Sequence, residues 1–251
     1  MAKKDETKSK RQVIREQRAK KQRQQRLFTI LAISAVALVI AVLLIAPSLR
    51  NAMTPVGEIV KITPEAHPDA NGREMGDPNA PVLVEVWEDF QCPACQSFSE
   101  NVEPLVAENY VATGKVRYVF RHFPFIDDQA AAKESDQAAN ASMCAADQSK
   151  FWEYHDYLYA NWSGENRGAF SDKRLVAFAE ALGLDMAEFN SCFGSNRHEN
   201  VIQQDTADGK TAGVSGTPSV FVNGSVVRPG FVPSYEEMAQ AIDAALSSSS
   251  Q

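Results

Sequence analysis

Metal ligands and phosphate-binding patterns are scarce in this chain, and each scarcity removes a class of function. Its 251 residues include four cysteines and four histidines. Two of the cysteines form a single CxxC, Cys92-Pro93-Ala94-Cys95, with no second CxxC and no close histidine pair beside it. Structural zinc of this kind needs such a partner set to complete four ligands, so resident zinc fits poorly and no metal is expected. No nucleotide or flavin motif is present, and no cofactor is expected. Positive charge is also scarce over most of the chain. Residues 1–26 hold eleven Lys/Arg and three Asp/Glu, a balance of +8, while the rest carries −15 within a total of −7. A basic tail on an acidic body would suit nucleic acid, but the segment that follows the tail supplies a different reason, and no nucleic-acid role is expected.

That segment, Leu27 to Ala46, lacks charge altogether: LFTILAISAVALVIAVLLIA. Twenty helical residues span about 30 Å, the thickness of a bilayer's hydrocarbon core. The run is longer than the roughly 7–15 residues of a signal peptide's apolar region. No A-x-A cleavage site follows it, and no nearby cysteine offers lipid attachment. The reading is an uncleaved single-pass anchor over 27–46, closed by Pro47. The basic flank 1–26 stays in the cytoplasm by the positive-inside rule, and the remainder lies outside the cell membrane. Residues 47–75 read as a linker, with a short edge strand at Gly57–Ile62 and His67 as a solvent-exposed loop residue.

The CxxC lies where an apolar strand, Pro81–Trp87, gives way to a helical pattern with Phe98, Val102, Leu105 and Val106 on one face. A helix start offers free N–H groups and the positive end of the dipole, which favour a thiolate. Pro93 suits the first turn. Cys92 is then the exchanging sulfur and Cys95 the resolver; a zinc site and an inert staple are the alternatives weighed against this redox pair.

A second strand follows at Lys115–Phe120, parallel to the first through the intervening helix. His122 at its end reads as a partly buried, backbone-bonded residue rather than a catalytic one. From about Gln129 to Asp208 the pattern is helical. Ala131, Ala132, Ser135, Ala138, Ala139 and Ser142 make a small-residue stripe, and Phe151–Tyr159 an aromatic core helix in which His155 is structural. Asp172 and Asp185 read as helix caps, with Gly183 as a stop. Cys144 and Cys192 both fall in this block. An exported domain sits where disulfides persist, so a second, structural disulfide is expected between them, against two separate buried thiols. Strands return at Ser219–Val222 and Ser225–Arg228 around an Asn223-Gly224 turn. A Ser234/Glu237 capping box opens a last helix with Tyr235, Met238, Ile242 and Leu246 on one face.

GDPNAPV (Gly76–Val82), EDFQCPAC (Glu88–Cys95), RHFPF (Arg121–Phe125), KFWEYHDYLY (Lys150–Tyr159) and GVSGTPSVFVNG (Gly213–Gly224) together resemble one family. It is the membrane-anchored, DsbA-like thiol:disulfide oxidoreductases of the thioredoxin superfamily. The resemblance implies an α/β thioredoxin fold over 76–251 with a helical insertion at about 129–208. It implies a cis Thr217-Pro218 bond beside Cys92 and Cys95, with Pro93, Ala94, Thr217 and Pro218 as active-site support. It further implies paired thiols of exported proteins as substrates and a quinone-linked membrane partner for reoxidation. Ala94 departs from the His or Tyr that many members carry within the dipeptide, which points to a weaker oxidant. A reductase or isomerase of the same fold, or a tethered client-binding domain, are the other readings.

Overall fold

The computed structural model describes residues 10–53, 55–127, 130 and 133–249. The chain divides into two compact units, Met1–Pro55 and Val56–Gln251. In the first, the described residues form one helix, α1 (Lys10–Met53). Its stretch Lys20–Leu43 is long and apolar enough to cross a membrane and is not buried; Phe28 and Leu43 are both exposed. The expected stop at Pro47 is not observed, since α1 runs through it to Met53. A proline gives up its bond to the carbonyl four residues back, a loss that apolar helices absorb by local adjustment.

The second unit is built on a five-stranded mixed sheet. In chain order the strands are β1 (Glu74–Met75), β2 (Val82–Glu88), β3 (Val116–His122), β4 (Ser219–Val222) and β5 (Ser225–Val226), and across the sheet they run β1-β3-β2-β4-β5. β2 and β3 are parallel, paired from Val82↔Val116 to Glu88↔His122, and β4 lies antiparallel to β2. Because successive side chains point to opposite faces, Val82, Val84 and Val86 face the main core with Tyr118 and Phe120. Trp87 and Phe221 form a smaller cluster with Phe123 and Val214. The hairpin between β4 and β5 turns on Asn223 (φ 47°) and Gly224 (φ 78°), the left-handed pair that a two-residue turn requires. β5 is shorter than expected, ending at Val226, although Val227 N–H still bonds Val220 O at 2.9 Å.

The parallel crossover is made by α2 (Pro93–Asn101), α3 (Glu103–Val106) and a π-helical turn at Ala107–Val111. The single helix expected here is broken at Val102, just before Pro104, where φ reaches −116°. The break rotates the following turn, so Phe98 and Val106 are buried but Leu105 is exposed. Five helices form the insertion: α4 (Glu134–Ala146), α5 (Phe151–Ala160), α6 (Asp172–Ala181), α7 (Met186–Gly194) and α8 (Glu199–Ala212). Gln129, Ala131 and Ala132, at the expected start, lie outside the described residues; Ser135, Ala138, Ala139 and Ser142 are all buried. Asp185 caps α7 by accepting from the N–H groups of Ala187 and Glu188, as expected. Asp172 does not cap α6: Ser171 occupies that position and Asp172 is the first helical residue. α8 returns across the second face of the sheet so closely that a Cβ on Gly209 would stand 2.8 Å from the Trp87 ring. The last helix, α9 (Tyr235–Ser249), buries Met238 and Ile242, and Ser234 and Glu237 bond reciprocally at its start.

Residues 56–75, read as a linker, are seated on the domain. Ile59 and Ile62 pack against the core. No strand forms at 57–62, because side chains of the insertion take its backbone. Val60 N–H and C=O bond the Asn161 amide at 2.8 and 3.0 Å, and Arg174 donates to the carbonyls of Val56 and Glu58. His67 is not a loose loop residue: its ring stacks on Trp152, 4.9 Å between centroids, and bonds Asp156 at 3.1 Å.

Candidate active site at the start of helix α2

Cys92 is the N-cap of α2, in extended conformation, with Pro93 opening the first turn. Its own N–H bonds Asp89 O at 2.9 Å and its carbonyl accepts from Gln96 N–H. Both thiols are free; Cys92 is 7 % exposed and Cys95 0 %. Cys92 Sγ–H donates to the Thr217 carbonyl at 3.3 Å, and the Thr217-Pro218 bond is cis. The buried Thr217 hydroxyl has no other partner, which leaves its proton free to turn to the sulfur when Cys92 ionises.

The two sulfurs differ sharply in acidity. Cys92 falls from an ordinary 9.0 to about 6, chiefly because Cys95 S–H donates to it. Burial opposes the shift, and the Thr217 hydroxyl and the N–H groups of Cys95 and Ala94 add to it. Cys95 is pushed well above its ordinary value by burial, by its bond to Cys92, and by the charge of Glu88. The pair therefore combines a thiol that ionises readily with a fully buried, protonated partner.

Glu88, the last residue of β2, was given no role by the sequence reading. It is 1 % exposed, and its carboxyl is raised to about 8 by burial, against the pull of a 2.6 Å bond from the Tyr159 hydroxyl. An acid closing an apolar strand four residues before the first cysteine is the signal that marks it. His122, read as backbone-bonded, is buried among Phe90, Phe120 and Phe151, and its Nε2 has no partner. Burial holds it well below its ordinary value and therefore neutral.

The insertion fixes the loop before Cys92. The Asp89 carboxylate accepts from Gln91 N–H, Ser135 Oγ–H, Phe125 N–H and Ile126 N–H, all within 3.0 Å. Trp162 Nε1–H holds the Gln91 carbonyl at 2.7 Å, and Asn166 N–H donates to the Gln91 side chain at 2.6 Å. Beside the cysteines runs a groove of about 480 Å³, lined by Ala94, Gly216, Thr217, Pro218, Phe221 and Phe231 among others. Phe231 is 66 % exposed on its rim.

Cys144 and Cys192 lie away from this groove and are bridged, with S–S 2.00 Å and Cα–Cα 5.8 Å, tying α4 to α7. They form, with His198, a grouping among the described residues whose donors are close enough for a metal. With both sulfurs committed to the disulfide, no thiolate remains there to bind one.

Comparison with known proteins bears on this arrangement. Residues 69–244 match the family model described as thioredoxin. A probable disulfide bond formation protein D of Bacillus cereus is 30 % identical over 175 residues, covering 68 % of this chain and 77 % of that protein. The oxidised crystal structure of BdbD from Bacillus subtilis superposes with a TM-score of 0.63 at 20 % identity, over 76 % of this chain and all of the other. That of Wolbachia pipientis alpha-DsbA1 gives 0.61 at 25 % identity, over 71 % of this chain and 92 % of the other.

Proposed function

The chain belongs to the thioredoxin family, as a thiol:disulfide oxidoreductase of DsbA-like fold, and from that premise we propose that it oxidises paired thiols of exported proteins through a Cys92–Cys95 disulfide. The observation that carries the proposal is the contrast between Cys92, held at about 6, and Cys95, fully buried and raised. In the oxidised enzyme a client thiolate attacks Cys92 Sγ. The Cys92–Cys95 bond breaks, and Cys95 leaves with the electron pair and takes a proton, for which Glu88 is the nearby buried acid. A second client thiolate then attacks the client sulfur of the mixed disulfide. Cys92 departs as its favoured thiolate, and two electrons have passed from client to enzyme.

A stabilised Cys92 thiolate favours the reduced enzyme and so makes the disulfide oxidising. The groove beside Pro218 holds the client in extended form, with Ala94 and Thr217 on its floor. The apolar stretch 27–46 of α1 anchors the domain outside the cytoplasmic membrane, with the basic residues 1–26 in the cytoplasm. A quinone-linked membrane protein takes the electrons onward. Glutathione titration of the full-length protein, read by alkylation of Cys92, tests the direction. A potential above thioredoxin's, roughly −270 mV, supports an oxidase; a value at or below it favours a reductase of the same fold.

A further inference from the structure

The Cys144–Cys192 bridge has a histidine beside it. A ring nitrogen of His198, the residue that opens α8, lies within 4.8 Å of both sulfurs. Both cysteines are 0 % exposed and the His198 side chain is 14 % exposed, so the imidazole is the solvent-facing member of the group. The turn that carries it is tied to both helices of the bridge. Arg197 N–H bonds the Cys192 carbonyl at 3.2 Å, and His198 N–H reaches the Asn140 side chain at 3.4 Å. Asn140 lies one turn before Cys144 on α4, and its amide also holds the Phe193 carbonyl of α7 at 3.1 Å. Behind the imidazole stands Asp147, at the end of α4. His198 Nε2 bonds Asp147 Oδ2 at 3.0 Å, and Arg197 bonds the same oxygen at 2.8 Å. A carboxylate only accepts, so Nε2 carries the proton and, in the neutral ring, Nδ1 keeps the lone pair. A carboxylate that fixes the tautomer of a histidine in this way is the usual companion of a metal ligand.

We propose that Cys144, Cys192 and His198 bind one zinc ion when the bridge is open, so that the same two cysteines tie α4 to α7 through the metal when reduced and through the disulfide when oxidised. Two thiolates and an imidazole make a compact donor set that suits zinc. Zinc bonds of about 2.0–2.3 Å place tetrahedral donors about 3.3–3.8 Å apart. The three donors already lie within 4.8 Å of one another, so side-chain rotations bring them to that spacing. Water takes the fourth position on the exposed side, which leaves the ion exchangeable. The electrons balance in both directions. A small dithiol gives two electrons and two protons to the Cys144–Cys192 bond and leaves as its own disulfide. Zinc then displaces the two thiol protons to water. On reoxidation the two thiolates pass two electrons to a disulfide oxidant such as oxidised glutathione, the S–S bond forms again, and the ion is released. The site therefore holds metal in one redox state only, and the bridged form excludes it.

The site stands apart from exchange at Cys92–Cys95, and its test removes that pair so that it supplies no thiolate. Full-length protein carrying Cys92→Ala and Cys95→Ala is reduced under argon, freed of reductant, and titrated with cobalt(II) and then with zinc. The expected result is one cobalt per reduced chain, with a thiolate-to-cobalt charge-transfer band and the intense visible bands of tetrahedral cobalt. One equivalent of zinc should bleach both, and the bridged protein should show neither. His198→Ala should weaken zinc binding about a hundredfold, and Asp147→Asn about tenfold. Because the reduced protein has lost its bridge, urea unfolding is followed in parallel. Zinc should raise the midpoint of the reduced protein and leave the bridged protein and reduced His198→Ala where they are. It should also protect Cys144 and Cys192 from iodoacetamide, as read by peptide mapping. A reduced, folded protein that shows no thiolate-to-cobalt band would overturn the site. So would equal cobalt binding by the bridged protein or by His198→Ala.

Discussion

The chain carries two cysteine pairs, and their surroundings make them opposites. Cys144 and Cys192 are 48 residues apart, both 0 % exposed, and close a covalent link between two helices of the insertion. Cys92 and Cys95 sit three residues apart at a helix start, free, beside an open groove and near a buried acid. The first pair constrains the unfolded chain and so stabilises the fold. The second keeps a buried carboxyl raised to about 8, which costs stability near neutral pH. Residue type is the same in both; what separates a staple from a reagent is burial, helix geometry and the charges alongside.

The largest effect expected is at the reactive pair. Cys92→Ser should reduce disulfide exchange to background, while Cys95→Ser should accumulate mixed disulfides with client proteins, seen as adducts on non-reducing gels. Equal trapping by both variants would remove the distinction between attacking and resolving sulfurs. The staple should respond in the other way. Replacing Cys144 and Cys192 together with Ala should leave exchange at Cys92 intact but lower stability by about 4 kcal/mol, from the closure of a loop of 48 residues. Urea unfolding of both proteins measures it, and a loss under about 1 kcal/mol would show that the bridge merely decorates packing that stands without it.

Glu88→Gln sharpens the comparison by removing a cost at the reactive site. A carboxyl whose folded pKa is raised from 4.5 to about 8 is ionised in the unfolded chain but not in the folded one between those values. Stability is therefore undiminished below about pH 4.5 and falls as pH rises toward 8. At pH 7 the penalty is about 3 kcal/mol at 1.36 kcal/mol per unit. Glu88→Gln should be more stable than the parent by that order at pH 7 and no different at pH 4, while exchange at Cys95 slows. Equal stability of the two proteins at pH 7 would mean that Glu88 is ionised in the fold.

These contrasts were unevenly legible in the sequence. The strand–CxxC–helix order, the parallel crossover, the Asn223-Gly224 turn and the Asp185 cap are all local signals, and the fold carries each of them. The helical break at Val102 was missed because hydrophobic spacing runs smoothly through it, although Pro104 stood there to be weighed. The seat of residues 56–75 depends on Asn161, Arg174 and Asp156, each about 90 to 120 residues away, and no local pattern reveals so distant a pairing. For the same reason His67 read as exposed and Glu88 was overlooked, since burial of a polar side chain is decided by whichever element is laid over it.

The smallest effect expected, and the most diagnostic, is in how the potential of the reactive pair varies with pH. Below the Cys92 pKa of about 6 the reduced pair binds two protons, and the potential should fall by about 59 mV per pH unit. Above it one proton remains, on Cys95, and the slope should ease to about 30 mV. Glu88 would add a proton of its own if its ionisation differs between the redox states, so the measurement belongs in the Glu88→Gln background. At pH 7 only one of the three units separating Cys92 from an ordinary thiol is realised, about 1.4 kcal/mol or 30 mV in favour of the reduced form. That modest gain, with no side-chain donor at Ala94 to enlarge it, should place the couple above thioredoxin at roughly −270 mV but short of DsbA at roughly −120 mV. A slope that stays at 59 mV through pH 8 would mean that Cys92 is an ordinary thiol, and would erase the chemical difference between the two pairs.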